Sequence, residues 1–565
     1  MVCAVVLGIG IVQGWFGRVD YAGDAISYLD LSKAVARGDW GNAVSPYWSF
    51  GYPVLLAVAR PIFPAGFAGE WTSIHVLNLV LYAAAYASFI QLLSVAMAFA
   101  ARVGGIEKPG DRESVFLVGS AIFLLYEIEF RCVSRIGPDQ TVNLLYLLST
   151  SAALHFCLQP KAKTAIVLGL LLGLGYMAKA AFLPISLLFV LTLLLHTLLR
   201  RSPGRRPALL KLAWVVPALA FVTVPYVLAL SHGAGKWTLG ESGALNYAWN
   251  VNGLPAFLHW QGSSPYGAPI HGNLVGKNPP VFTFAEPFHV TYPPWYEPFY
   301  WYEGYRHYFN LHNQIEALKK NVSVMFQLLV KGPHMAVKIL AWMMGILVAV
   351  FFLADLRAWL KRLGVLWPLY LPAFATMAMY LIVVMESRYV TGPVLVILTA
   401  PLLVLYTPTR LMGRWAGYGL VAVIVGWSAL CIGKDQQDAF RRAARCEPYN
   451  DSDDWKVALF LISSGVQPGE KVAAVETYRF DATACSWAYI SGVHIVAEIG
   501  NDAYDPSEGQ RDFDSFNGNP DVQNAVFALF RKAGARLVIV REVTGQIRGT
   551  AWQRVPGTQW WIHRV

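Results

Sequence analysis

Apolar runs near 20 residues recur along this chain, and they constrain its fold more than any other feature. Such windows can be drawn at about 1–16, 72–101, 114–130, 140–158, 165–180, 182–199, 212–231, 334–354, 364–385, 389–408 and 417–433. Each approaches the ~20 residues that carry an α-helix across a hydrocarbon core of ~30 Å. With 56% hydrophobic and only 14% charged residues among 565, an ordinary soluble protein is excluded. The pattern predicts a polytopic α-helical membrane protein of about eleven spans. Region 165–199 reads either as two of these or as one long reentrant hairpin.

The formal net charge is +10, but the cations lie in short gaps between apolar runs, a pattern that orients helices and does not point to nucleic acid. Gaps 102–113, 159–164, 200–211, 355–363 and 409–416 hold fifteen Lys and Arg, whereas the short gaps on the other side hold mainly Arg131, Arg135 and Arg388. The positive-inside rule then assigns the first set to the cytoplasm and sends 17–71, 232–333 and 434–565 to the outer face of the cell (inner or plasma) membrane. The first span begins at Met1 without a basic lead-in, so an anchor is weighed against a cleaved signal peptide. The absence of a clear small-x-small site favours the anchor.

The six cysteines form no CxxC and no Cys/His ligand spacing, which argues against a structural zinc site. Cys446 and Cys485 both fall in the expected outer domain, where either a disulfide or two buried thiols is compatible with the sequence.

Three parts are expected: a membrane core over 1–433, the outer loop 232–333 within it, and a soluble domain over 434–565. The loop contains TYPPWYEPFYWYEGYRHYF at 291–309, which reads as an aromatic belt at the membrane interface or as a lid contacting sugar or lipid. From about Lys434, helical and strand-like segments alternate: DDWKVALFLISSGV, PGEKVAAVE, VHIVAEIG, NAVFALFRKAG ending at Gly534, and ARLVIV. That alternation predicts a small α/β domain with a mostly parallel sheet. It carries no glycine-rich phosphate loop.

Carboxylates near transmembrane helices are costly unless paired, solvated or used, ~2.5–3.5 kcal/mol at a helix centre. RVDYAGDAISYLDLSKAVARGDW at 18–40 places four of them directly after the first span. Segment 24–37 reads as a helix lying on the membrane surface and ended by Gly38, with Asp24, Ser27, Tyr28 and Leu31 on one face. Asp24 and Tyr28 are candidates to line a chamber, Asp30 and Asp39 are expected to face water, and Asp20 is undecided. In EIEFRCVSRIGPDQTVNLLYLL, Gly137 and Pro138 start a helix and put Asp139 at its N-terminus, where the dipole favours an acid by ~0.3–1 kcal/mol. Glu127 and Glu129 precede it, with Arg131 and Arg135 as possible partners. Lys179 in GLGYMAKAAFLP reads as a snorkelling lysine or as a site cation. Glu386, Arg388 and Tyr389 open the tenth window. By the predicted topology these positions share one membrane face.

The ordered set DAISYLDLSKAVARGDW, SPYWSFGYP, GPDQ, GYMAKAAFLP and SRY with Pro393 resembles the GT-C superfamily of integral membrane glycosyltransferases, which includes protein O-mannosyltransferases and the lipid A aminoarabinose transferase. The resemblance covers about residues 1–430. It implies transfer of a sugar from a polyprenyl-phosphate donor to a glycan, lipid or protein acceptor on the outer face. Carried over residue by residue, Asp24 matches the first-loop acid and Asp139 the second acidic position, both catalytic. Lys179, Arg388 and Tyr389 match the donor-phosphate region, with Tyr28, Tyr47 and Glu127 in the substrate pocket. Ala25 stands where many relatives have a second acid, which weakens a paired-carboxylate metal site; a divalent cation (Mg or Mn) and Asp20 as substitute ligand stay open. Inverting transfer needs a base for the acceptor hydroxyl, here Asp24, and positive charge on the departing phosphate, here Lys179 and Arg388. Asp139 orients the acceptor, tunes Asp24 or helps hold a cation. The rival readings are a lipid-linked sugar transporter, which would show charge at span midpoints and repeated halves, and a non-enzymatic envelope assembly protein.

Overall fold

The computed structural model describes residues 2–16, 23–62, 67–103, 112–130, 133–199, 204–255, 259–330, 356–405, 452–476, 485–499, 506–541 and 551–565, with isolated positions between them. Helices occupy nine of the eleven apolar windows. Window 334–354 and most of window 417–433 lie outside the described residues, as do Asp20, Arg131 and Cys446, so a count of eleven is not established. Among the described residues, four helices are long and apolar enough to cross a membrane by themselves: Gly69–Arg102, Asp139–Leu158, Phe182–Leu199 and Arg205–Gly233.

Glycine and small residues let these helices approach closely, as they must where lipid offers no hydrophobic drive between helices. A Cβ on Gly169 would lie 2.4 Å from the Val215 carbonyl oxygen, and one on Gly10 would lie 2.3 Å from the Tyr82 ring. The Tyr82 hydroxyl donates to the Val6 carbonyl at 3.0 Å, so the first helix, Val2–Phe16, packs within the bundle. Region 165–199 forms two helices, Ala162–Ala178 and Phe182–Leu199, broken at Lys179.

Helix Gly23–Arg37 ends where expected, at Gly38 with φ +71°. It does not expose Asp30, which is buried and accepts hydrogen bonds from the Thr291 backbone N–H (2.9 Å) and hydroxyl (3.1 Å). The aromatic loop that covers this helix supplies the donors, a long-range pairing that local periodicity does not encode.

Much of the loop's aromatic run is likewise interior, although Phe309 at its end is exposed. Tyr292, Tyr296, Phe299, Trp301 and Tyr302 are all buried, and their polar tips find partners inside the protein, such as Trp301 Nε1 to the Pro293 carbonyl (3.0 Å). This overturns the interfacial-belt expectation for these residues: with each tip satisfied internally, the rings form a core and not a lipid-facing girdle.

Among the described residues there is a seven-stranded sheet: β1 Leu274–Lys277, β2 Pro280–Thr283, β3 Lys471–Glu476, β4 His494–Ile499, β5 Leu537–Arg541, β6 Gln553–Arg554 and β7 Trp560–Arg564, in the order β1-β2-β4-β3-β5-β7-β6. Only β4-β3 and β3-β5 pair in parallel; the other neighbours are antiparallel. The expected mostly parallel sheet is therefore mixed, because the 232–333 loop adds a hairpin to one edge and the chain end adds one to the other. The central strands are apolar on both faces. Val472, Ala474, Ile495 and Ile539 join a core with helices Gly23–Arg37 and Asp453–Ser463 and the aromatic loop. Ala473, Val475, Val538 and Val540 pack beneath helices Pro506–Gly518 and Pro520–Lys532.

Candidate active site

Asp139 opens its helix directly after Pro138, which has no N–H to leave unsatisfied at that turn. Lys179 occupies the break between two helices, in an extended conformation with φ −158°. At the break the Phe182 ring folds over Gly175, where a Cβ would lie 2.3 Å from it. The break is also held from outside by the SPYWSFGYP segment. Ser49 Oγ accepts from the Ala180 N–H at 3.0 Å, and Gly51 lies against the Met177–Ala178 backbone, where a Cβ would come within 2.9 Å of the Met177 oxygen.

Arg388 lies in a single 3-10 turn, Ser387–Tyr389, between helices Trp367–Val383 and Thr391–Leu405. Asn321 pins the approach to this turn. Its Nδ2 donates to the Leu381 and Val383 carbonyls (2.9 and 3.0 Å), and its Oδ1 accepts from the Met385 N–H (3.3 Å). Gly392 then lets the following helix press against Asn143 and Tyr146, each 3.0 Å from the position of a Cβ. That contact brings Arg388 to Asp139.

The result is an ionic cluster centred on Arg388. Its Nη1 donates to Asp24 Oδ2 (3.2 Å) and lies 3.8 Å from Asp139 Oδ2, while Nε donates to Glu386 Oε2 (2.6 Å). Lys179 Nζ donates to Asp139 Oδ1 at 2.9 Å and stands 3.5 Å from the centre of the Tyr389 ring. Burial works against the Arg388 charge, but Asp139, Tyr389, Asp24 and Glu386 outweigh it and hold its pKa above the ordinary guanidinium value. Tyr28 is buried between Trp48 and Tyr52, ring centroids at 5.1 and 5.7 Å, and its hydroxyl is pushed upward by that burial and then by Asp24.

Asp24 and Glu386 remain accessible, their side chains 25% and 42% exposed, whereas Asp139 is 7% exposed. The cluster therefore opens on the Asp24 and Glu386 side. Asp24, Asp139, Lys179, Arg388, Tyr389 and Tyr28 come together here from four stretches of sequence. Tyr47 stands behind Trp48, in an aromatic group with Trp249 and Trp295. Glu127 is set apart: it is fully buried, receives a hydrogen bond from Asn143 and does not line the opening, because Asn143 lies a turn below Asp139 and faces the neighbouring helix. Asp39 caps a short helix near the surface by accepting from Asn42.

Sequence reasoning assigned no role to Glu386 or to the positioning residues Ser49, Gly51, Asn321 and Gly392. It also missed Glu297, buried in the aromatic loop with a hydrogen bond from Ser45 and pushed up to about 8 by its burial. One acid inside a run of rings was the signal for Glu297; nothing local marks Asn321.

No group of three or more His, Cys, Asp or Glu placed to hold a metal occurs among the described residues. The carboxylates at the opening do not fit a divalent cation, since Asp24 and Asp139 already turn oxygens to Arg388 and Lys179. A dication there would face two fixed positive charges.

No family model matches the sequence, and no curated protein matches it. Solved structures do. ArnT from Cupriavidus metallidurans in the apo state aligns with 99% of this chain and 97% of its own, at 12% identity and TM-score 0.52. The oligosaccharyltransferase of Archaeoglobus fulgidus in complex with zinc and sulfate aligns with 96% of this chain and 68% of its own, at 11% identity and TM-score 0.48. The arabinosyltransferase EmbB from Mycobacterium smegmatis aligns with 82% and 42%, at 11% identity and TM-score 0.41. All three are GT-C glycosyltransferases, and the first, at a TM-score above 0.5, shows that this chain has the fold of that ArnT structure.

Proposed function

We propose that this chain, a GT-C fold carrying a two-cation, three-carboxylate cluster at one end of an apolar bundle, is a membrane glycosyltransferase. It takes a sugar from a polyprenyl-phosphate donor. The observation that carries this reading is the Arg388 cluster, where fixed cations meet an accessible carboxylate at the mouth of a lipid-embedded core. An isoprenoid tail suits the bundle's apolar flank, and its phosphate suits a planar guanidinium beside an ammonium.

In the proposed reaction the acceptor hydroxyl attacks the anomeric carbon, and the bond from that carbon to the phosphate oxygen breaks. Asp24 takes the hydroxyl proton, and the phosphate leaves with the bonding pair. Arg388 and Lys179 stabilise the charge that develops on it, so no general acid is needed. Asp139, buried against both cations, is a positioning residue. Glu386 bonds Arg388 Nε from the more exposed side, and the donor phosphate displaces it. The acceptor enters from the layer of helix Gly23–Arg37 and the aromatic loop, on the outer face according to the charge pattern of the gaps.

The test is transfer of radiolabelled sugar from polyprenyl-phosphate donors in membranes, comparing wild type, Asp24→Asn and Arg388→Ala at matched expression. Loss of about 10²-fold or more in each variant is expected, the size of a removed base or charge stabiliser. Undiminished transfer by Asp24→Asn removes Asp24 from the chemistry. A wild type that moves lipid-linked sugar across vesicles without forming product replaces this reading with transport.

A further inference from the structure

At the other end of the bundle lies a second polar opening. Helix Asp139–Leu158 runs from the Arg388 cluster to Phe156 and Cys157, about 26 Å away at ~1.5 Å per residue. There a cavity of about 280 Å³ opens between that helix and helices Phe182–Leu199 and Arg205–Leu212. Its floor is buried, formed by Phe156, Cys157, His196, Thr197 and Ala208, and its rim carries exposed Arg205 and Lys211.

The described lining is basic, with Arg205 and Lys211 at the rim. None of the described residues lining it is a carboxylate. The described parts of the two gaps that meet here, 159–164 and 204–211, hold five Lys and Arg and no Asp or Glu. The volume is near the lower end for small-molecule pockets, which admits a compact headgroup and not a nucleotide-sized ligand. A basic pocket between transmembrane helices on the face that the positive-inside rule assigns to the cytoplasm meets the leaflet rich in anionic lipid.

The geometry points to a binding site here for a compact anionic phosphate group, carried by an anionic phospholipid or free in solution. Arg205 and Lys211 contact the phosphate at the rim, and the buried floor takes the rest of the headgroup. This site is separate from the Arg388 cluster and holds whether or not that cluster transfers sugar.

The test uses the full chain in neutral detergent, carrying Arg388→Ala so that the opposite end does not contribute. Binding of dioctanoyl phosphatidylglycerol, dioctanoyl phosphatidylcholine and inorganic phosphate is read by native mass spectrometry and by thermal melting. Phosphatidylglycerol is expected to bind and raise Tm, with phosphatidylcholine much weaker. Arg205→Gln with Lys211→Gln should weaken binding on the order of 30-fold, taking ~1 kcal/mol per cation. The control Lys161→Gln with Lys163→Gln removes the same charge outside the cavity and should weaken it far less. Ala208→Leu, which fills the floor and keeps every charge, should abolish it. Equal protection by inorganic phosphate identifies a soluble ligand, and protection by lipid alone identifies the headgroup. Phosphatidylcholine binding as tightly as phosphatidylglycerol, or unchanged binding in both the Arg205/Lys211 and Ala208 variants, overturns the proposal.

Discussion

Arg388 touches three carboxylates, and its neighbours divide the labour at the opening. Because Glu386 competes with the donor phosphate for Arg388 Nε, Glu386→Gln is expected to lower the donor KM several-fold while leaving kcat within about twofold; steady-state kinetics over a donor titration read this directly. A raised KM would make Glu386 part of the binding surface. Glu297 gives a prediction that does not depend on activity. Its carboxyl is raised to about 8 from an ordinary value near 4.5, so the native state holds this proton more tightly than the unfolded chain does. Stability from that proton is complete below pH ~4.5 and declines as pH rises through 8. Tm of the wild type should fall between pH 5 and pH 8, and Glu297→Gln, which keeps the Ser45 contact without a titrating group, should flatten that part of the profile.

At the scale of elements, close backbone approach builds the site. Gly51 and Gly392 press their helices against the Met177–Ala178 backbone and against Asn143 and Tyr146. Gly392→Val is expected to destabilise the protein by about 1–3 kcal/mol through overpacking and to reduce transfer by shifting the Arg388 turn, a pairing that melting and activity on one preparation would detect. Asn321→Ala removes three hydrogen bonds to the segment preceding that turn and leaves every charge in place. Its expected signature is a fall in kcat/KM with an unaltered pH profile, and a displaced pH profile would instead give Asn321 a direct electrostatic role. Helix ends, the Gly38 stop and the strands of the C-terminal region were legible because they follow from local periodicity and backbone preference. The Lys179 break was half legible. Gly175, Lys179 and Pro184 mark a discontinuity, but whether the chain stops there or continues depends on Ser49, contributed from far away in sequence.

Across the whole molecule, the 232–333 loop joins the membrane-embedded helices to the sheet. Its β2 pairs with β4, and His259 and Tyr292 hydrogen-bond the buried Glu498 of β4, with Tyr292 at 2.8 Å. His259→Ala leaves a buried carboxylate short of a partner, at a cost of about 3 kcal/mol. The expected result is faster protease cleavage within 256–310 while the apolar helices stay protected; unchanged cleavage would show that the β2–β4 ladder suffices alone. The sequence by itself determined that the chain enters a membrane, where its apolar runs lie, that an α/β region follows them, and which ionisable residues lie near helix ends, because hydropathy, charge bias and capping are local properties. Only the tertiary structure decided that Asp30 is buried, that the aromatic loop is core, that the sheet borrows a hairpin, and that Arg388 is the point where Asp24, Asp139 and Glu386 meet. Those outcomes depend on which distant groups supply hydrogen bonds and opposite charge, and a buried polar atom is stable only when such a partner arrives.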